Sequence, residues 1–145
     1  MQRVTRSVLV PYSASEMFAL VADVAAYPQF LPWCAATDVL ASDTRSMTAR
    51  IDIDYHGVRA HFTTLNAHRP PESIGITLKD GPFRHLHGEW QFRALGDAAA
   101  KVELELAYEF ATAILDRVIG PVFNHIANTF IDSFVKRAQA VYGSR

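Results

Sequence analysis

The feature that most restricts how this chain can fold is one change of hydrophobic period. From residue 35 to residue 110, apolar and polar residues alternate; over the last thirty or so residues, apolar positions recur every three or four. Met47, Ala49, Ile51, Ile53 and Tyr55 share one face, against Thr48, Arg50, Asp52, Asp54 and His56 on the other. His56-Gly57 reads as a hairpin tip, after which Val58, Ala60, Phe62 and Thr64 continue the apolar side. Ile74, Ile76 and Leu78 follow the loop "RPPES" at 69–73, and "KDGP" at 79–82 turns the chain again. Leu86, Gly88, Trp90 and Phe92 then oppose His85, His87, Glu89, Gln91 and Arg93, and Val102, Leu104, Leu106, Tyr108 and Phe110 oppose a charged row. Strands with one dry and one wet face belong to an antiparallel sheet.

The terminal pattern is a helical stripe of Leu115, Val118, Ile119, Val122, Ile126, Phe130, Phe134, Ala138 and Val141, widened by Phe123, Ile131 and Val135. Thirty helical residues span roughly 45 Å, so the helix must cross the sheet with its stripe on the dry face. Gly120-Pro121 predicts a break or kink, because Pro121 offers no N–H to the Arg117 carbonyl. Near the start, residues 3–10 alternate as a strand, and "SASE" at 13–16 is a capping box with Tyr12 and Met17 at its staple positions. Phe18, Val21, Ala22 and Ala25 extend a helix over 14–25, which Pro28 ends or kinks. The reading is an α+β chain, a single domain over 1–145, with one curved sheet, a short N-terminal helix and a long C-terminal one.

The totals narrow the function. At 145 residues the chain can bury roughly 68–70% of its unfolded surface without staples. A net charge of −1 and a pI near 6.6 give no general attraction to DNA. Cys34 is the only cysteine, which excludes an internal disulfide and a cysteine-based zinc site. The opening "MQRVTRSVLVPY" lacks an apolar signal core, and no run of 18 apolar residues spans a bilayer. A cytoplasmic location is expected.

A twisted sheet curling around a long helix leaves room where the two diverge. Inward aromatics (Phe62, Trp90, Phe92, Tyr108, Phe110) beside small residues (Ala49, Ala60, Gly88) allow either an apolar pocket or a filled core. The inward polar groups are few: Tyr55, Thr64, Asn66 and Tyr108. The segment "AAYPQFLPWC" at 25–34 leads from helix to sheet, so Phe30, Leu31 and Trp33, held by Pro28 and Pro32, either line the mouth of a groove or form an apolar patch for another macromolecule.

Chemistry is sparse. His85, His87 and Glu89 could chelate a metal but belong to the wet face. Asp52 and Asp54 also point to water, and Cys34 has no basic neighbour in sequence to activate it. Tyr55 and Tyr108 are the only inward titratable candidates, and tyrosine, with a pKa of about 10, is a poor base at neutral pH. No catalytic residue and no metal site is assigned.

"YPQFLPWC" at 27–34, "MTARIDIDYHGVRAHFTT" at 47–64, "DGPFRHLHGEWQF" at 80–92 and "FVKRAQAVYG" at 134–143 make the chain resemble the coenzyme-Q-binding START-like proteins, whose bacterial branch includes the RatA-type ribosome-association toxins. The family is related to polyketide cyclases. The resemblance implies a START and Bet v 1-like helix-grip fold with an apolar tunnel between sheet and helix. Phe30, Leu31, Pro32 and Trp33 match its mouth motif, and Phe83, Leu86 and Trp90 its strand motif. The bacterial relatives tend to carry a basic residue after Phe-Thr-Thr, where this chain has Leu65 followed by Asn66.

Three functions follow as expectations. The first is a non-catalytic carrier of an apolar molecule, ubiquinone above all, supporting respiratory electron transport and touching the inner membrane peripherally. No cofactor is required. Its tail would lie against Phe62, Leu78, Phe83, Leu86, Trp90, Val122, Ile126 and Phe130, its head would be oriented by Tyr55, Asn66 or Tyr108, and the 27–34 elbow would form the lid. The second is a toxin that binds the large ribosomal subunit and blocks subunit association. The third is a cyclase-like enzyme.

Overall fold

The computed structural model describes residues 1–145. Strand β1 (Gln2–Val10) leads into helix α1 (Ala14–Ala22) and a 3-10 helix (Val24–Gln29). Six strands follow: β2 (Cys34–Ser42), β3 (Ser46–Tyr55), β4 (Val58–Arg69), β5 (Ser73–Asp80), β6 (Phe83–Ala94) and β7 (Ala100–Phe110). Helix α2 (Ala113–Tyr142) ends the chain. The strands form one antiparallel sheet in the order β1-β7-β6-β5-β4-β3-β2, so every neighbour except β1 on β7 is joined by a hairpin. This is the α+β helix-grip arrangement expected from the sequence.

Local chemistry accounts for the hinge points. Ser13 Oγ accepts from the Glu16 N–H at 3.1 Å while a Glu16 carboxylate oxygen accepts from the Ser13 N–H at 3.0 Å, the expected capping box. His56 and Gly57 take φ values of 50° and 78°, the left-handed pair that lets Tyr55 pair with Val58 across a two-residue turn. Gly88 serves close approach rather than room: a Cβ there would stand 2.6 Å from the Glu105 carbonyl oxygen and 2.8 Å from Leu106 Cδ1. The missing side chain draws β6 onto β7 and opens nothing inward.

Three expectations are corrected. Helix α1 stops at Ala22, three residues short, and the chain tightens into the 3-10 helix that contains Pro28. Side chains three apart eclipse on a 3-10 helix, which points Val24 and Tyr27 into the core together; the Tyr27 hydroxyl then donates to the Val21 carbonyl at 2.6 Å. Helix α2 runs unbroken through Gly120 and Pro121, with Pro121 exposed. Its buried stripe is narrower than predicted: Ile119, Phe123, Ile126, Ala127, Ile131, Phe134 and Ala138 face the sheet, while Val118 and Val141 face solvent.

The far end of α2 is tied to the start of α1. Tyr12 donates to the Gly143 carbonyl at 2.6 Å, Tyr142 to the Glu16 carbonyl at 3.1 Å, and Arg145 pairs with the Glu16 carboxylate at 2.7 Å. No helix is long and apolar enough to cross a membrane.

Candidate functional site

Between α2 and the sheet lies an apolar cavity of about 70 Å³, with 15 hydrophobic residues among the 17 that line it. Val21, Val24 and Tyr27 form the wall from α1 and the 3-10 helix, and Trp33 comes from the elbow. The sheet contributes Ile51, Phe62, Thr64, Asn66, Ile74, Ile76, Leu86, Trp90 and Leu106. Helix α2 contributes Phe123, Ile126, Ala127 and Phe130. The space is small, because pockets for drug-sized ligands run about 300–1,000 Å³.

Phe130 marks the boundary of the hollow. It is only half-buried, and its ring stands 5.8 Å from Trp33, 5.6 Å from Trp90 and 5.2 Å from Phe134. Toward the other end of the sheet the interior is solid. There Phe83 stacks on Phe110 at 4.9 Å and meets Phe123 edge-on at 4.9 Å, and Tyr108 meets Phe123 at 4.7 Å.

The cavity therefore takes up part of the predicted set. Trp33, Phe62, Asn66, Leu86, Trp90, Ile126 and Phe130 share its wall. Phe83 and Tyr108 are placed instead in the solid aromatic cluster, where the Tyr108 hydroxyl donates to Asn124 Oδ1. Tyr55 stands at the β3–β4 tip, stacked on His125. Leu78 and Val122 are half-buried off the wall. In the elbow, Leu31 is buried without reaching the cavity, Pro32 is exposed, and Phe30 packs against Phe134 at 5.3 Å beneath the Arg137 guanidinium at 5.0 Å. A helix presents one residue in three or four to a given line, so Val122 turns aside where Phe123 and Ile126 turn in.

Sequence reasoning missed the contribution of α1 and the 3-10 helix, Val21, Val24 and Tyr27, and of Phe123 and Ala127 on α2. Val21 already stood on the helical stripe, but the switch to a three-residue period that aims Val24 and Tyr27 inward carried no recognisable signal. The departure at 65–66 resolves into two faces: Leu65 lies on the outer face, 43% exposed, and Asn66 lies on the cavity wall.

The wall carries little chemistry. No carboxylate, imidazole, ammonium or guanidinium lines it. Burial pushes the Tyr27 phenol far above its ordinary range, and its hydroxyl is already committed to Val21. Burial likewise raises Tyr108, in the solid cluster, and pushes the Cys34 thiol up to about 11. His85, His87 and Glu89 are exposed on the outer face, and no three His, Cys, Asp or Glu side chains gather closely enough to hold a metal. Thr64 Oγ1 donates to Asn66 Oδ1 at 2.9 Å, while Trp33 Nε1 is buried with no hydrogen-bond partner.

Comparison with known proteins places this geometry. Residues 10–135 match the family described as polyketide cyclase/dehydrase and lipid transport. The chain is 43% identical over 140 residues to the ribosome association toxin RatA of Pseudomonas aeruginosa, covering 97% of each chain. It is 40% identical over 145 residues to RatA of Escherichia coli strain K12, covering 100% of this chain and 92% of that one. A more distant relative, the mitochondrial coenzyme Q-binding protein COQ10 of Drosophila melanogaster, is 24% identical over 139 residues, 93% of this chain but 57% of that one. Among solved structures, the ZhuI aromatase/cyclase of a Streptomyces species superposes with a TM-score of 0.79 over 99% of both chains at 18% identity, which is a likeness of fold.

Proposed function

The chain belongs to the polyketide cyclase/dehydrase and lipid transport family, in the branch of the RatA-type proteins, and from that membership we propose that it binds the large ribosomal subunit and hinders subunit association. The observation that carries this reading is the end-to-end match, 43% identity over 97% of both chains. The cavity supports it indirectly, since about 70 Å³ is too little for a bulky cargo to be the resident condition of the fold. The absence of any titratable side chain on the wall apart from the committed Tyr27 favours binding over catalysis. The action lies in the cytoplasm, with the ribosomes.

Co-sedimentation with purified large subunits at graded salt tests this. We expect association that weakens as salt rises, with a slope set by how many of the 14 Lys and Arg side chains meet phosphates. A chain that stays in the supernatant at every salt concentration, and does not alter the yield of joined ribosomes, removes the reading.

A second reading rests on the apolar wall. A neutral lipid-like molecule, with ubiquinone as the leading candidate, occupies the cavity after Phe130 and the elbow move apart, each buried methylene contributing about 0.8 kcal/mol. The coenzyme Q-binding name of the distant relative supports it. Native mass spectrometry of the purified chain, with Trp33 and Trp90 fluorescence on adding ubiquinone, tests it. No recovered ligand and no fluorescence change count against it.

A further inference from the structure

We propose that His68 is an acid-sensitive latch beneath helix α1: the neutral imidazole lets α1 seat on the sheet, and the imidazolium loosens α1 together with the part of the hollow's wall that α1 supplies.

Phe62, Thr64, Asn66 and His68 follow one another on the inner face of β4, and the first three line the hollow. His68 stands beyond them as the one ionisable group of that row. Its ring meets Phe18 of α1 at 5.8 Å, nearly perpendicular, and Phe18 meets Phe92 of β6 at 5.6 Å. Phe18 is the only aromatic side chain of α1 and is 9% exposed. The Nε2 atom of His68 is buried and has no hydrogen-bond partner in the protein. A neutral imidazole tolerates this, with its proton on Nδ1 and Nε2 left as a bare acceptor. An imidazolium carries a proton on both nitrogens, and the one on Nε2 brings charge into a closed apolar contact with no acceptor to receive it.

The surroundings do little to offset that charge. The Asp43 carboxylate, in the turn before β3, favours the charged ring, but burial outweighs it and holds the titration of His68 below its ordinary value near 6.5. Asp43 is itself engaged by the N–H groups of Arg45 and Ser46. Arg45, whose carbonyl accepts from the His68 N–H at 2.7 Å, and Arg69, next along β4, are cations. On α1, Glu16 is paired with Arg145, and Asp23 stands at the far cap. Strand β5 sets the neutral Ser73 and Ile74 beside this end of β4, with Glu72 exposed in the loop before them.

When the proton arrives, the helix is the element that yields. Strand β4 is fixed at His68 by the bond to Arg45 and by its pairing with Ile74. Helix α1 is tied at its start through Glu16, but its later residues rest on the packing of Phe18 and Val21, and Val21 lines the hollow. The open form takes up the proton more readily than the closed one, so the latch holds fully above about pH 6.5 and weakens as pH falls below it.

Native-state hydrogen exchange of the intact chain, read by NMR and corrected for the intrinsic rate at each pH, tests the proposal. The opening constants of the Val21 and Ala22 amides should stay level from about pH 8 to 7 and rise below about 6.5, by up to about tenfold per pH unit, the limit for one proton. The Val102 and Leu104 amides of β7 should stay level throughout. His68→Gln keeps a neutral polar side chain and His68→Phe keeps a ring against Phe18; both should abolish the rise. The other five histidines are exposed and remain in both variants, which makes them the internal control. A wild-type profile level down to pH 5, an equal rise in β7, or the same rise in either variant overturns the proposal. Should neither variant fold, the ring titration of wild-type His68 decides: a midpoint below 6.5 supports the latch, and one at or above 6.5 overturns it.

Discussion

The two ends of the space beneath α2 are built from the same residue types and pack differently. Around Phe83, five aromatic rings from β4, β6, β7 and α2 meet with centroids 4.7–6.4 Å apart, and of these only Phe62 and Phe123 reach the hollow. Around Trp33, rings from the elbow, β6 and α2 meet at 5.2–5.8 Å but are joined on the wall by Ile51, Ile74, Ile126 and Ala127, and a void remains. Rings interlock edge-to-face. Short aliphatic side chains at the seam between helix and sheet cannot reach across. What makes an interior hollow is therefore the mixture at the seam, not apolar character as such.

The largest test of that contrast is on the solid side. Phe83→Ala removes the ring that touches Phe62, Tyr108, Phe110 and Phe123, and is expected to lower unfolding stability by about 3–5 kcal/mol in urea titration. A loss below about 1 kcal/mol would mean that this end is as loosely filled as the other. On the hollow side, Cys34 reports how often the elbow opens. With its thiol pushed up to about 11 by burial, its thiolate fraction at pH 8 is on the order of 10⁻³, so disulfide-reagent labelling should run about two orders of magnitude slower than for an ordinary cysteine of pKa about 8.5. The same shift fixes a sign. Between about pH 9 and 11 the unfolded chain releases this proton first, so stability falls as pH rises through that window, and Cys34→Ala flattens the fall.

A matched pair of alanines gives a smaller effect. Ala138 is fully buried in the core away from the cavity, and Ala127 is buried on the cavity wall. Ala138→Val should destabilise by about 1–3 kcal/mol through overpacking. Ala127→Val has space to occupy and should stay within about 1 kcal/mol of the wild type, while reducing uptake of any cavity ligand. Equal losses in thermal or urea unfolding would show that the void closes in solution.

Most of the fold could be read from period and punctuation. Alternation placed the strands from β3 to β7, the Ser13–Glu16 box placed the start of α1, and His56-Gly57 placed a hairpin tip. The cavity was legible only in part, for reasons that particular residues make plain. Alternation says that Tyr108 and Leu78 point inward; it does not say how far along the sheet they stand from a given turn of α2, and Phe83, out of phase with Leu86, turns inward through the register shift between Phe83 and His85. Gly88 looked like room because it is small, yet its missing Cβ is used by the backbone of β7. Val122 looked like wall because helical spacing tolerates an error of one position, and one position is about 100° of rotation. A sequence thus reports which face a residue takes, and the hollow depends on which residues from separate elements share a level.

The smallest effect concerns the tie that fixes α1, whose Val21 forms one wall of the hollow, to the end of α2. The Arg145 guanidinium, hydrogen-bonded to Glu16, together with the Ser13 N–H, holds the Glu16 carboxyl at about 2, well below its ordinary value near 4.5. A carboxyl whose titration is depressed by folding adds stability above about pH 4.5, and that contribution disappears as pH falls toward 2. Arg145→Ala removes the largest cause and leaves the Ser13 hydrogen bond, so the Glu16 midpoint should rise toward its ordinary value without reaching it, as followed by side-chain carboxyl NMR. The acid sensitivity of unfolding between pH 4.5 and 2 should shrink in step. Both groups are solvent-exposed enough for salt to screen the pair, so the effect on stability at neutral pH is slight. If α1 is the fixed wall and the elbow the moving one, Arg145→Ala should also leave the labelling rate of Cys34 unchanged; faster labelling would mean that the hollow opens by loosening α1 instead.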